Sequence, residues 1–268
     1  MLLETRTVEK PWGKDALPAP FATPLGQRIG EIWFEPPPDL PQLLVKYIFT
    51  SEKLSVQVHP SDAQTEAAGL GKQGKEECWL VIDAEPGATL GIGFHEAVDS
   101  AAMRAAALDG SIEQLLVWHA IKPGDFYYIP ANTVHAIGPG CSIIEIQQNS
   151  DITYRLYDYG RPRELHLDDS VRVAKGEPYD LRRHVHVDGA ATLVEGPYFR
   201  LDLVTATPSP EVARRYAGPL LVIPREGMAL VEGEPVNPGE CALAETLAAV
   251  AFAPGGTCLI TQPIAGAR

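Results

Sequence analysis

Short runs of alternating apolar and polar residues make up much of this chain, and Gly or Pro separates many of them. In the run Leu54–Pro60, aliphatic side chains take one face of a predicted strand, so Gln57 and His59 share the other. Further strands are predicted at residues 29–34, 42–51, 77–82, 88–94, 126–129, 134–137 and 142–148, and the chain is β-rich again at 198–262. The pattern indicates a mainly β protein.

One segment, residues 97–118, has a helical pattern instead. Asp99 or Ser100 can cap an alanine-rich helix that ends at Gly110, and Ser111 begins a second helix that runs through Val117. We therefore predict a small helical insert within the first part of the β fold.

An internal repeat predicts two related β modules. Pro123–Asp125 matches Pro238–Glu240, and other Gly, Pro and Gln positions match at the same offset. In that frame His135 falls on Val250, so a site that uses His135 can belong to the first module only. We expect an N-terminal metal-binding barrel over residues 1–175 and a degenerate C-terminal barrel without a metal site over 176–268.

Composition excludes several classes of partner. A net charge of −13 argues against general binding to nucleic acid or to a membrane surface, because both require a basic face. No run of about 18 apolar residues is present, so no membrane span is expected. The four cysteines form no CxxC pair and no apolar leader follows Met1, which favours a cytoplasmic protein with reduced thiols.

Three separate segments carry candidate metal ligands. His59 lies in the first strand described, Glu77 opens another, and His135 follows a Pro-Ala-Asn turn. An isolated His beside a Pro is usually structural, whereas two imidazoles and a carboxylate on separate strands suit Zn²⁺ or Fe²⁺. Gln57 offers an amide oxygen as a weak fourth ligand, which would leave one coordination position for a substrate.

Four sequence blocks carry a family resemblance. They are residues 54–60, 74–79, 123–136 and 148–155, and they occur in this order. With these blocks the chain resembles the type I mannose-6-phosphate isomerases of the short bacterial form, within the cupin superfamily. The matching motifs run from Pro11 to about Ala174, and the second module matches only loosely.

The resemblance implies two cupin-like (jelly-roll) barrels and a metal-dependent isomerase that interconverts mannose 6-phosphate and fructose 6-phosphate. It implies one zinc ion per chain, held by His59, Glu77 and His135 with Gln57 as a possible fourth ligand. It also implies a catalytic Arg155 that contacts substrate, and a substrate site that contains Ser55, Lys75, Glu145 and Asp151. Position 76 is often Thr in the family and is Glu here.

The residues leave the proton carrier open. Aldose–ketose interconversion passes through an enediol, and a cation near the developing oxyanion lowers its barrier. Arg155 could supply that cation, while Lys75, Glu145 or Asp151 could carry the proton, and Lys75 could instead anchor the phosphate. An Fe²⁺ cupin dioxygenase and a non-catalytic sugar-phosphate-binding cupin are the alternative functions.

Other polar residues are predicted to lie on the surface. Arg161, Arg163 and Arg172 form a modest basic cluster that is typical of a solvated face. The remaining histidines lack a partner pattern and are also predicted to be surface residues; they are His95, His119, His166, His184 and His186.

Overall fold

The first β unit consists of two antiparallel sheets. A computed structural model describes residues 1–264 of the chain. The strands of this unit are β1 (Thr5–Lys14), β2 (Ile29–Phe34), β3 (Leu43–Phe49), β4 (Val56–Val58), β5 (Glu77–Ala84), β6 (Thr89–Phe94), β7 (Leu116–Ala120), β8 (Asp125–Ile129), β9 (His135–Ile137), β10 (Cys141–Gln148), β11 (Tyr154–Tyr157) and β12 (His184–His186). The seven-stranded sheet has the order β1-β2-β3-β10-β5-β8-β12, and the five-stranded sheet has the order β11-β4-β9-β6-β7.

A second β unit follows along the chain. Its strands are β13 (Ala191–Glu195), β14 (Phe199–Thr205), β15 (Leu220–Glu226), β16 (Ala229–Val231), β17 (Glu234–Val236), β18 (Ala242–Ala244), β19 (Val250–Phe252) and β20 (Thr257–Pro263). They form a five-stranded sheet, β13-β14-β20-β15-β18, and a three-stranded sheet, β17-β16-β19. The mainly β fold class is confirmed.

Helices are few and short in the described residues. They are α1 (Asp62–Ala67), α2 (Ser100–Asp109), α3 (Ile112–Leu115), α4 (Leu167–Val173) and α5 (Pro210–Arg215), with 3₁₀ turns at Leu181–Arg183 and Leu247–Ala249. None of these helices is long and apolar enough to cross a membrane.

The helical insert forms much as its sequence predicts. The Asp99 side chain accepts a hydrogen bond from the backbone N–H of Ala102 at 2.8 Å, and Gly110 ends α2 at a φ of 83°. The second helix is shorter than predicted, because Leu116 and the residues after it pair with β6 as strand β7.

The seven-stranded sheet is buried on both faces. Along β5, Trp79 and Val81 face the interior of the first unit, whereas Cys78 and Leu80 face the second unit. Phe199 and Leu221 of the second unit join the cluster that contains Leu80. The two units therefore share one continuous core, and every residue of β3, β8 and β10 is buried.

The domain boundary predicted at residue 175 stays a prediction, and two backbone contacts connect segments on either side of it. Strand β12 lies beyond that point and pairs with β8 of the first unit. The N-terminus crosses in the opposite direction, because Leu3 donates its backbone N–H to Cys241 of the second unit at 2.9 Å. In the repeat frame, β9 and β10 fall on β19 and β20.

Candidate metal centre and active site

Three buried side chains meet inside the first β unit. His59 follows β4, Glu77 opens β5 and His135 opens β9. The Nε2 atoms of the two imidazoles lie 3.5 Å and 3.2 Å from the two oxygens of the Glu77 carboxylate. One ligand atom from each residue lies within 4.8 Å of the other two. Within residues 1–264 this is the one group of three His, Cys, Asp or Glu side chains close enough to share a metal ion.

Backbone contacts orient both imidazoles toward Glu77. The Nδ1 atom of His59 lies 2.9 Å from the carbonyl oxygen of Ile152, and that of His135 lies 2.9 Å from the carbonyl of Thr133. A carbonyl can only accept, so each Nδ1 carries the proton and each Nε2 presents a lone pair to the centre. His59 Nε2 and Glu77 Oε1 are buried without a hydrogen-bond partner among the described residues. This donor set fits a divalent metal ion.

The local fold explains how His59 and His135 come together. Asn132 takes a φ of 73° before β9, and its backbone N–H donates to the His59 carbonyl at 2.8 Å. Gly74 lies where a Cβ atom would be 2.4 Å from the Pro60 carbonyl oxygen. The Asn132 contact thus joins the His135 turn to His59, and Gly74 lets the segment that leads to Glu77 pack closely against Pro60, next to His59.

Burial shifts the pKa values of all three residues. Burial lowers the pKa of His135 to about 4, and burial and the nearby Lys75 lower the pKa of His59 well below 6.5. Burial raises the pKa of Glu77 above its ordinary value, although Lys75 opposes this shift. Both imidazoles are therefore neutral at pH 7, as metal ligation requires.

Gln57 and Ser55 lie beside the centre on β4 and immediately before it. The Gln57 amide nitrogen lies 3.3 Å from His135 Nε2, and its oxygen accepts from Ser55 Oγ at 3.2 Å. With this orientation the amide nitrogen faces the centre. Ligation through the amide oxygen requires a half-turn of the amide.

Lys75 and Glu145 belong to the same buried charge network. Lys75 Nζ lies 2.9 Å from Glu77 Oε2 and 3.9 Å from Glu145 Oε1. Burial disfavours a charged lysine, but Glu145 and Glu77 outweigh that effect and raise the pKa of Lys75 above its ordinary value. Burial also disfavours the charge of Glu145, yet Lys75 and Lys46 lower its pKa from 4.5 to about 2.

Lys46 and Trp33 are pocket residues that the sequence did not predict, and they stand with the predicted Glu145 in a row that crosses the large sheet. In register, Trp33 opposes Lys46, Lys46 opposes Glu145, and Glu145 opposes Trp79. Lys46 Nζ donates to Glu145 Oε1 at 3.1 Å and to Gln147 Oε1 at 2.6 Å, and lies 4.4 Å from the centre of the Trp33 ring. The charged Lys46 within the apolar run of β3 was the feature of the sequence that could have indicated a role in the site.

A second missed group lies at the same end of the sheet. The Trp33 indole N–H donates to Glu31 Oε2 at 2.7 Å, and Lys10 Nζ lies 3.3 Å from the same oxygen. Glu31 is buried, and Lys10 is partly exposed. These residues come from β1 and β2, for which the sequence predicted no role in the site.

A pocket of about 290 Å³ joins these groups above the centre. It brings together Ser55, Gln57, Lys75, Glu145, Asp151 and Arg155 from the predicted site, together with Lys10, Glu31, Trp33, Lys46 and Arg163. Lys46 and Lys75 are buried at its base, whereas Lys10 and Arg163 are more exposed and lie nearer its opening. Asp151 is exposed at its edge.

Arg155 differs from the other cations of the pocket. Lys10, Lys46, Lys75 and Arg163 each have a carboxylate within 4 Å. Within residues 1–264 Arg155 has none; its Nη1 donates to the Glu164 carbonyl at 2.7 Å, and its Nε is buried without a partner. Among the described residues, Arg155 is thus the one cation lining the pocket that has no carboxylate partner. Its charge is available to a bound anion.

Several predicted surface residues are half-buried instead; they are His119, Arg161, Arg163, His166 and His184. Arg163 lines the pocket and donates two hydrogen bonds, of 2.5 and 2.7 Å, to the buried carboxylate of Asp158, which Arg161 also contacts at 3.0 Å. His166 is half-buried, and its Nδ1 accepts a hydrogen bond from the backbone N–H of Arg155 at 3.1 Å. Both contacts depend on the turn after β11, which sequence periodicity did not predict.

Glu76 points away from the centre. Strand alternation places Lys75 and Glu77 on one face, and the Glu76 carboxylate on the other accepts a hydrogen bond from Tyr128. Burial raises the pKa of Glu76, although that hydrogen bond opposes the shift. The additional negative charge at this position therefore lies outside the pocket.

The chain is similar in sequence to curated mannose-6-phosphate isomerases. No family model matches the chain. The mannose-6-phosphate isomerase ManA from Bacillus subtilis is 38% identical over 208 residues, which cover 73% of this chain and 65% of that protein. A mannose-6-phosphate isomerase from Streptococcus mutans is 41% identical over 167 residues, 59% of this chain and 52% of that protein. The chain therefore spans between about half and just under two thirds of these relatives.

Solved structures match over nearly the whole chain. The crystal structure of mannose 6-phosphate isomerase from Bacillus subtilis has a TM-score of 0.80 at 26% identity and covers 97% of this chain and 98% of that one. A variant of phosphomannose isomerase from Salmonella typhimurium has a TM-score of 0.71 at 16% identity, which supports the fold alone. The resemblance to type I mannose-6-phosphate isomerases and the cupin-type fold are confirmed.

Proposed function

We propose that this chain, which resembles mannose-6-phosphate isomerases in sequence and in fold, interconverts mannose 6-phosphate and fructose 6-phosphate. One arrangement carries the proposal. A buried group of His59, Glu77 and His135 adjoins a pocket through Lys75, which contacts Glu77. Among the described residues, Arg155 is the one cation lining that pocket without a carboxylate partner. A phosphorylated polyhydroxy substrate supplies the negative charge and the hydroxyl groups that such a pocket can bind.

Zinc is the metal that we propose, with one ion per chain. His59, Glu77 and His135 would hold it, and Gln57 could add its amide oxygen after a half-turn of the side chain. Two imidazoles and a carboxylate are a common catalytic zinc ligand set, and the buried unpartnered atoms support it. When bound, the ion acts as a Lewis acid that orients and polarises the sugar oxygens.

Charge in the pocket supports a phosphate-bearing substrate. Lys10 and Arg163 are the more exposed cations of the pocket and lie toward the opening, where a dianion arrives. Asp158 holds Arg163 through two parallel hydrogen bonds, so the guanidinium is presented in a fixed orientation. We assign the phosphate to this more exposed end and the reacting carbons to the buried end beside Lys75.

Proton transfer between the two reacting carbons requires a group at the base of the pocket. Glu145 is less suited, because both of its oxygens already accept hydrogen bonds, from Lys46 and from Trp79. Asp151 is exposed at the pocket edge. Lys75 is buried and faces the pocket beside Glu77. A divalent ion held by Glu77 would lower the pKa of Lys75 and let the ammonium release its proton. We therefore propose that the neutral amine of Lys75 takes the proton from one reacting carbon and returns it to the other, while Arg155 stabilises the enediolate oxygen.

A coupled assay with mannose 6-phosphate tests this proposal. We expect turnover that is lost on chelation and restored by Zn²⁺, with about one zinc per chain by metal analysis. Arg155→Ala should lower kcat by about 10²–10³-fold, the usual effect of removing one group that stabilises an oxyanion, and should leave zinc content unchanged. Arg172→Ala is the matched control, since that side chain is exposed and paired only with Asp169.

Three results would contradict the proposal. They are turnover that survives complete metal removal, an Arg155→Ala variant within threefold of the unmodified protein, and oxygen consumption with Fe²⁺ in place of isomerisation. Binding of the sugar phosphate without exchange of its C2 proton into solvent would instead identify a non-catalytic binding protein. We also propose a cytoplasmic location, which suits the four free, buried cysteines.

A further inference from the structure

The turn after β11 folds back against that strand. Strand β11 lies at one end of the five-stranded sheet, where its inner edge pairs with β4 and places Arg155 opposite Gln57. Residues 158–166 return along the outer edge and end at α4. His166 therefore stands beside Arg155, where a further strand would lie in a larger sheet.

Two residues of this turn hold Arg155 at three points. The backbone N–H of Arg155 donates to His166 Nδ1 at 3.1 Å, and the backbone N–H of His166 donates to the Arg155 carbonyl at 2.8 Å. The Arg155 Nη1 donates to the carbonyl of Glu164 at 2.7 Å. Both backbone groups and one end of the guanidinium are thus fixed by neighbours outside the pocket.

With Nη1 bound to the Glu164 carbonyl, the Arg155 side chain also lines the pocket. Arg155 Nε is buried and has no hydrogen-bond partner within residues 1–264. An arginine side chain has many rotamers, so a held guanidinium loses less conformational freedom when an anion binds. Without these hydrogen bonds the guanidinium could move by about an ångström or more, which is enough to impair transition-state stabilisation.

The chemistry of the contact defines what position 166 must supply. A backbone N–H can only donate, so Nδ1 of His166 must be the acceptor and its proton must lie on Nε2. Asparagine can place an amide oxygen near the position of Nδ1, whereas alanine cannot accept this hydrogen bond. The turn has independent support, because Asp158 binds both Arg161 and Arg163.

We infer that His166 is a positioning residue that, together with the Glu164 carbonyl, holds Arg155 in the orientation that the proposed isomerisation needs. The inference rests on the proposed function for its kinetic consequence, but the hold on the guanidinium can be measured without turnover. His166 is not among the residues that line the pocket or form the metal group, so an effect of its side chain on turnover has to pass through a neighbouring residue, and Arg155 is the neighbour that lines the pocket.

The kinetic experiment compares variants of the zinc-loaded full chain. His166→Ala should lower kcat at least tenfold with KM changed less than threefold, and His166→Asn should retain kcat within threefold. Arg172→Ala is the control and should equal the unmodified protein, because that exposed side chain pairs with Asp169 and is not among the residues that hold Arg155. In an Arg155→Ala background, His166→Ala should cause no further loss of kcat.

A spectroscopic measurement accompanies the kinetics. In ¹⁵N-arginine-labelled protein, the Arg155 Nε–H signal, assigned with Arg155→Lys, should be sharp and should broaden or shift in His166→Ala but not in His166→Asn. Unchanged kcat together with an unchanged signal in His166→Ala would overturn the inference. An equal further loss of kcat in the Arg155→Ala background would overturn it too, since a general structural role would then explain the effect. Absence of turnover in the unmodified protein would refute the proposed function and leave the signal to decide on His166.

Discussion

Replacing Glu145 by Gln tests the buried charge network most directly. Glu145 is about 3% exposed and lies 3.1 Å from Lys46 and 3.9 Å from Lys75. Removal of one partner from a buried ion pair costs about 3–5 kcal/mol, because the remaining charge stays buried without its counter-ion. We therefore expect a substantial fall in the free energy of unfolding.

The surrounding contacts place the loss near the lower limit of that range. The Gln amide oxygen can still accept from the Trp79 indole, and Lys46 keeps its 2.6 Å hydrogen bond to Gln147 and its place over the Trp33 ring. A cation–π contact contributes about 0.5–2 kcal/mol. We expect Glu145→Gln to lower the free energy of unfolding by about 3 kcal/mol at pH 7.5.

Urea unfolding followed by tryptophan fluorescence measures this loss, with chelator present so that metal binding does not contribute. The exposed Glu9→Gln is the matched control and should stay within about 0.5 kcal/mol of the unmodified protein. A double variant, Lys46→Met with Glu145→Gln, should lose less than the sum of its single variants, because no charge of that pair remains unpaired. A loss below about 1 kcal/mol for Glu145→Gln would refute the reasoning.

The same variant has a pH signature. Since the folded-state pKa of Glu145 is lowered from 4.5 to about 2, its charge stabilises the fold fully above about pH 4.5. That contribution is lost as the pH falls from there toward 2, where the folded-state carboxyl also takes up a proton. The difference in stability between the unmodified protein and Glu145→Gln should therefore shrink over this acidic range.

Two further predictions concern the metal centre. Gly74→Ala places a Cβ atom 2.4 Å from the Pro60 carbonyl, so it should lower both the urea midpoint and the zinc content, whereas Gly189→Ala meets no atom within 4 Å and should change neither. Equal zinc content in the two variants would contradict the packing argument. Metal-free protein should lose stability as the pH falls from about 6.5 to 4, because unfolded His135 takes up a proton in that range while burial keeps the folded residue neutral. Urea midpoints in chelator that do not fall between pH 7.5 and 4.5 would show that this burial has no such effect.

Strand periodicity predicted which candidate metal ligands share a face. A period of two places His59 and Gln57 on one face of β4 and puts Lys75 and Glu77 together on the face opposite Glu76. Two imidazoles and one carboxylate restrict the ion chemically, whatever the fold around them. The approach of these side chains to within 4.8 Å follows from the turns that Gly74 and Asn132 allow.

Helix boundaries were less predictable. Residues 116–117 have a composition compatible with either a helix or a strand, and pairing with β6 decided in favour of β7. The same limit applies to β12, which is three residues long and exists through its pairing with β8. Partners far away in the chain, which local propensity does not encode, determine such short strands.

By itself, the sequence determined the mainly β class and the faces on which the candidate metal ligands lie, because a two-residue repeat and the chemistry of the side chains are local properties. Only the tertiary structure decided which charges the pocket contains and how each is neutralised. Trp33, Lys46 and Glu145 meet because β2 and β3 align in one register with β10, which lies far along the chain, and a shift of one residue would turn each side chain to the opposite face. Arg155 is left without a carboxylate in residues 1–264 because the turn after β11 offers it a carbonyl and an imidazole instead.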